Sequence, residues 1–139
     1  MAVSQGPSLE LQTALVAVLR ASADVKTLIG DPIRLYQDVP DSPTFPYVTI
    51  GEGQDDPDLA ECIDGSEVYS DLHILTNESG FTTCKKIVAT LWAAISAATI
   101  TLTENRFILI ERDGARYLRD PSDPIKHGVL TLRALTDPA

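Results

Sequence analysis

One stretch constrains the fold more than any other: ESGFTTCKKIVATLWAAISAA, residues 78–98. Cys84, Ile87, Val88, Leu91, Ala94 and Ile95 recur at helical spacing, while Lys85, Lys86 and Thr90 fall off that stripe. A helix with one apolar stripe must bury that stripe against something. The flanking segments supply the surface. SEVYSDLHILTN, residues 66–77, alternates: Val68, Leu72 and Ile74 share one face, and Glu67, Asp71 and His73 the other. Alternation of this kind marks a strand with one wet face. Ser79 is the expected cap of the helix, and Trp92 borders its stripe.

The rest of the chain extends the same arrangement. Leu11, Leu15, Val18 and Leu19 predict an N-terminal helix that Ser8 would cap and whose first turn holds Glu10. Asp24 and Gly30 bracket a shorter helix carrying Val25, Leu28 and Ile29. IRLYQDV, residues 33–39, reads as a first strand, and YVTIGEG, from Tyr47, as a second. Gly51 and Gly53 suggest a bulge or a close backbone approach. Pro40, Pro43 and Pro46 stiffen the entry to that strand, with Phe45 and Tyr47 placed to anchor it. QDDPDLAECIDG, residues 54–65, has no period and reads as an exposed loop. Further strands are expected around Phe107–Arg112, extendable to Leu118, and over KHGVLTLRALT. The expectation is an α+β domain: an antiparallel sheet of about four to five strands with two main helices packed on one face. Residues 1–7 would be a loose arm, 8–135 the domain and 136–139 a tail.

The chain of 139 residues is long enough for one core. Its longest apolar run is too short to span a bilayer, and MAVSQGPSLELQ lacks the basic and apolar regions of a secretory signal. The net charge of -9 argues against a phosphate-seeking protein. Charge is also unevenly spread. Between Arg34 and Lys85 there is no basic residue, and the interval holds Glu52, Asp55, Asp56, Asp58, Glu61 and Asp64 among its acids. The C-terminal part is relatively basic, with Arg106, Arg112, Arg116, Arg119, Lys126 and Arg133. Two solvated faces would account for this. So would a subunit whose two sides complement each other head to tail.

Chemistry-bearing motifs are scarce. GEG at 51–53 has neither dinucleotide nor P-loop spacing. Ser70, Asp71 and His73 permit a hydrolase cluster on paper, without an elbow or oxyanion signature. His127, before Gly128, reads as a turn or interface residue. The acids from Asp55 to Asp64 fit no calcium-loop register. Cys62 and Cys84 belong to no metal-binding spacing and are expected as free thiols. No catalytic residue, cofactor or metal is therefore expected.

Four segments in order carry a resemblance: LELQTALVAVLRASADVKTLIG, IRLYQDVPDSPTFPYVTIGEG, CIDGSEVYSDLHILTNESGFTTCKKIVATLWAAI and RDPSDPIKHGVLTLRALT. Together they resemble the tail-completion, or tail-terminator, proteins of long-tailed phages, prophages and gene transfer agents, over roughly residues 8–135. The resemblance implies a structural subunit, not an enzyme. It implies a homohexameric ring on the tail tube protein that stops tube polymerisation and joins the head–tail connector or stopper protein. DNA would pass through the lumen without specific binding, and no membrane is involved. The implied place is the tail–neck junction of a particle assembled in the bacterial cytoplasm. Glu52, Asp55, Asp56, Asp58, Glu61, Asp64, Arg112, Arg116, Arg119 and Lys126 are then the candidates for subunit, tube or neck interfaces. The competing readings are a neck or head-completion protein on the portal side, a small hydrolase, and a regulatory binding module with an acidic partner loop.

Overall fold

The computed structural model describes residues 5–58, 65–119 and 124–138. In chain order the elements are α1 (Pro7–Ala21), α2 (Ala23–Ile29), β1 (Leu35–Tyr36), β2 (Tyr47–Asp58), β3 (Gly65–Asn77), α3 (Thr82–Ala97), β4 (Asn105–Arg119) and β5 (Ile125–Pro138). The strands form one sheet in the order β1-β2-β3-β5-β4. The α+β expectation holds, with one amendment: the sheet is mixed, because β1 runs parallel to β2. The remaining pairs are antiparallel.

The helices cover one face of the sheet, and a single core lies between. Leu11, Leu15 and Leu19 of α1 and Cys84, Ile87, Val88, Leu91 and Ile95 of α3 meet Val48, Ile50, Val68, Leu72, Ile74, Leu130, Leu132 and Ala134 of the strands. Cys84 is fully buried, and desolvation pushes its thiol up to about 11, so it behaves as a packing group.

Several local expectations change. α1 starts on Pro7, and Gly6 rather than Ser8 is its N-cap; proline suits the first turn because its missing N–H would have no helical partner. α2 is capped by Ser22, whose hydroxyl accepts from the Val25 amide, and not by Asp24. At α3 the capping role expected of Ser79 passes to Glu78, whose carboxylate accepts from the amides of Thr83 and Cys84 at 2.9 and 3.0 Å. A carboxylate there also faces the positive end of the helix dipole. The first strand shrinks to Leu35–Tyr36, since the prolines beyond it supply no ladder donors. The largest change lies in the acidic segment. Residues 54–58 continue β2 and pair with 65–69 of β3, so the described part of the expected loop is paired strand, while 59–64 lie outside the described residues. Turn-type residues there are tolerated because this part of β2 is an edge strand.

Polar contacts fix how the layers meet. Glu10 of α1 is buried, and its carboxylate accepts from the Thr103 and Glu104 amides at 2.6 and 2.8 Å, from the Thr103 hydroxyl and from the Asn105 side chain. Burial alone would raise this carboxyl. The hydrogen bonds from Glu104, Asn105 and Thr103 outweigh it and hold the pKa at about 2. On the other side of the domain, Arg34 Nε donates to the Pro46 carbonyl at 2.8 Å, and the Phe45 and Tyr47 rings meet at 5.2 Å. These contacts anchor the proline-rich entry to β2.

Glu10→Gln should destabilise the fold by about 2 kcal/mol, because an amide NH₂ then faces groups that are already donors. Glu10's folded pKa lies below its unfolded value, so its contribution is present above about pH 4.5 and is lost as pH falls toward about 2. Urea titrations should therefore show the gap between wild type and Glu10→Gln closing across that window.

Candidate functional site

Among the described residues, the sheet leaves one face free of helices and two edges open. β4 is an edge strand along its whole length. On the opposite side β1 covers only Val48 and Thr49 of β2, which leaves the outer edge of β2 from Ile50 onward without a neighbour among the described residues. Open edges present free N–H and C=O groups and invite another strand.

The register sorts the expected interface residues by face, since directly paired residues point to the same side. Arg112 pairs with Leu132 and Arg119 with Lys126, so both lie on the helix side; Arg116 pairs with Val129 and lies on the helix-free side. All three are exposed. Arg119 stacks its guanidinium 5.0 Å from the Phe81 ring centre. Lys126 is the exception to the expectation. It is buried, and its ammonium donates to the Pro124 carbonyl, so it is not a surface cation. Asp55 pairs with Val68 on the helix side and Asp56 with Glu67 on the other. Asp55 and Glu52 are exposed and Asp56 is half-buried. The backbone of Asp58 ends β2, and Glu61 and Asp64 lie outside the described residues.

β4 also carries the exposed apolar side chains Ile108, Leu109 and Leu118. Ile108 sits in an irregularity between Phe107 and Leu109, and a second one separates Arg112 from Gly114. Bulges of this kind bend an edge and re-aim its side chains.

The helix-free face is tied together by ion pairs. Arg133 bridges Glu67 at 3.2 Å and Glu111 at 2.8 Å, and Tyr69 donates to Glu67. The bonds from Arg133, then Tyr69, hold the Glu67 carboxyl below its usual range, while Glu67 raises the Tyr69 phenol. Arg106 forks onto Asp137 across the β4–β5 ladder and lowers its carboxyl. Nearer β2, Glu52 meets His73 Nε2 at 3.0 Å, and His73 Nδ1 meets His127 Nε2 at 2.8 Å. Desolvation, then the neighbouring His73 and Arg116, depresses the His127 imidazole. Sequence reasoning placed His73 and Asp71 on one face but missed this chain, because 54 positions separate the two histidines. The drawn hydrolase cluster is not assembled. Period two puts Ser70, paired with Leu132, on the helix side, while Asp71 and His73 point the other way, and Asp71 accepts from Thr131 at 2.8 Å.

The bulge between Ile50 and Gly53 carries Glu52 over His73. Gly51 there has φ 137°, a region L side chains rarely adopt, and a Cβ on Gly53 would lie 2.1 Å from the Tyr69 carbonyl oxygen. Both halves of the expectation for these glycines, bulge and close backbone, are met.

The structure is thus a small α+β domain whose sheet leaves charged edges open among the described residues. The sequence matches the family profile described as tail completion protein gp17 over residues 13–137, and the chain belongs to that family. It is thus a structural protein of phage-type tail completion. Its fold is similar to that of a chain in a structure described as the virion of a native gene transfer agent particle. There the TM-score is 0.84 at 24% identity, with 96% of this chain and 99% of that one covered. It is also similar to the gp17 protein of bacteriophage SPP1, with a TM-score of 0.61 at 18% identity over 91% and 88% of the two chains. No curated protein matches by sequence. Among the described residues, no helix is long and apolar enough to cross a membrane.

Gly53→Ala should force β2 away from β3 and cost on the order of 2 kcal/mol, because backbone rather than a flexible side chain must yield. Hydrogen exchange should rise at residues 50–58 and 65–70 while the helices keep their protection.

Proposed function

We propose that this chain forms a hexameric ring at the head-proximal end of a phage-type tail, where it stops tube polymerisation and joins the tail to the head–tail connector. Family membership supports the tail role, and the likeness to a chain of a gene transfer agent virion supports a particle of that kind. The observation that carries the ring is the pair of open, oppositely charged sheet edges.

From β2 to β4 the sheet alternates in direction, β2-β3-β5-β4. Repeating such a sheet by rotation brings β4 of one subunit beside β2 of the next in antiparallel sense. That contact is heterologous, and it closes into a ring when the rotation closes. Levels also match. Asp55 pairs with Val68, Val68 with Ala134 and Ala134 with Ile110, so the free part of β2 lies level with the first half of β4. The acids Glu52, Asp55 and Asp56 then oppose Arg106 and Arg112, with Ile108 and Leu109 covered between them. Charge complementarity sets the register, and apolar burial supplies the attraction.

With helices on the wider outer radius, the helix-free face turns toward the channel. Its carboxylates Glu52, Asp56, Glu67, Asp71, Glu111 and Asp137 outnumber the guanidinium groups of Arg106, Arg116 and Arg133, which lets DNA pass without sticking. The ends of the ring meet the tail tube protein and the connector or stopper protein. Its place is the tail–neck junction of a particle assembled in the bacterial cytoplasm, and its role is non-catalytic.

Deleting the gene should yield tails of uncontrolled length that fail to join heads; normal tails on full particles would overturn the role. A ring at the portal side of a particle map would instead indicate a head-completion protein. Arg112→Glu should weaken ring formation at least about tenfold in light-scattering assays, since it sets like charges opposite each other. Adding Asp55→Arg to it should restore most of that loss.

A further inference from the structure

We propose that Glu52, Asp71 and His73 form a binding site for one divalent transition-metal ion, of which zinc is the best fit. The proposal does not depend on the ring. One ligand atom from each of these side chains lies within 4.8 Å of the others. Zinc holds nitrogen and oxygen ligands at about 2.0–2.2 Å, so tetrahedral neighbours stand roughly 3.4 Å apart, the spacing to which these three groups would close on the ion.

The donor set selects the metal. Magnesium and calcium take oxygen ligands alone, whereas an imidazole with two carboxylates suits zinc, cobalt or nickel. Two carboxylates also balance the ion's charge, and Arg116 is the cation that bears on the neighbouring His127.

The surrounding contacts orient the ligands as a metal site requires. His73 Nε2 points at Glu52, 3.0 Å away, and its other nitrogen, Nδ1, meets His127 Nε2 at 2.8 Å. When metal takes Nε2, the His73 proton sits on Nδ1 and is donated to His127, which must then be neutral. Such a hydrogen bond to the second ring nitrogen fixes the tautomer and the orientation of a ligating imidazole. Asp71 is held by the Thr131 hydroxyl at 2.8 Å. The ligands sit on two hydrogen-bonded strands, with Glu52 delivered by the β2 bulge. His73 is largely covered, at 16% side-chain exposure, while Glu52 is 76% exposed, so the site opens on one side. Three protein ligands leave a fourth position for water or for a donor from another subunit. His127 is a positioning residue: it acts through His73.

The test uses the full-length, tag-free, chelator-treated chain carrying Cys62→Ser, which removes a competing thiol. Zinc titration by calorimetry at pH 7.5 should give one ion per chain with micromolar or tighter affinity and a raised Tm. His73→Gln should weaken binding by about 100-fold or more, and Glu52→Gln and His127→Gln by about 10-fold each. The cobalt form should show visible d–d bands without sulfur charge-transfer absorption. Glu52 is surface-exposed, so Glu52→Gln remains informative even where a His73 variant misfolds. Absence of heat and Tm shift up to millimolar zinc, or unchanged affinity in both Glu52→Gln and His73→Gln, overturns the site.

Discussion

A sheet that is apolar on one face must be covered on that face and left open on the other, and this one-sided burial governs the rest of the molecule. α1 and α3 supply the cover. Their apolar stripes and the inward residues of β2, β3 and β5 make one continuous core. Because the helices lie on the same side, no element among the described residues covers the opposite face. Among the described residues, the two-residue strand β1 alone protects one edge, and the edge along β4 stays open. The surfaces this domain offers to other molecules follow from how little secondary structure it has to spare.

Within that constraint, Glu10 locks the cover in place. The two helices reach the sheet from distant parts of the chain, and apolar contact alone would let them slide. One buried carboxylate with four donors from residues 103–105 fixes α1 against the segment that leads from α3 into β4. A charged group in such a place is favourable only when its hydrogen bonds are complete. The same contact holds the start of β4, the edge on which Arg106, Ile108 and Arg112 stand.

The polar face has its own order. Arg133 sits between two glutamates, and two histidines run in series from Glu52. These groups are partly shielded by their neighbours, so they hold definite positions rather than wave in solvent. A face fixed by cross-strand pairs keeps its shape better than loops would.

Much of this fold was legible in the sequence, because the periods of 3.6 and two are local properties. The stripe Cys84–Ile87–Val88–Leu91–Ile95 and the alternation Val68–Leu72–Ile74 are buried as read. Gly51 and Gly53 form the bulge they suggested, and the motif order named the family. Local composition misled where tertiary pairing overrode it. Residues 54–58 are rich in turn formers, yet β3 recruits them as a strand. Arg112 and Arg116 belong to one basic region, yet a bulge and the pleat send them to opposite faces, and Lys126, an expected interface residue, is buried with its ammonium on the Pro124 carbonyl. Contacts between Glu10 and Thr103, 93 positions apart, or between His73 and His127, leave no periodic trace. The sequence by itself determined which faces are apolar and hence that helices lie on one side of a sheet, since burial follows from local pattern. Only the tertiary structure decided which polar groups meet, because strand register is a long-range property that a one-residue slip would rewrite.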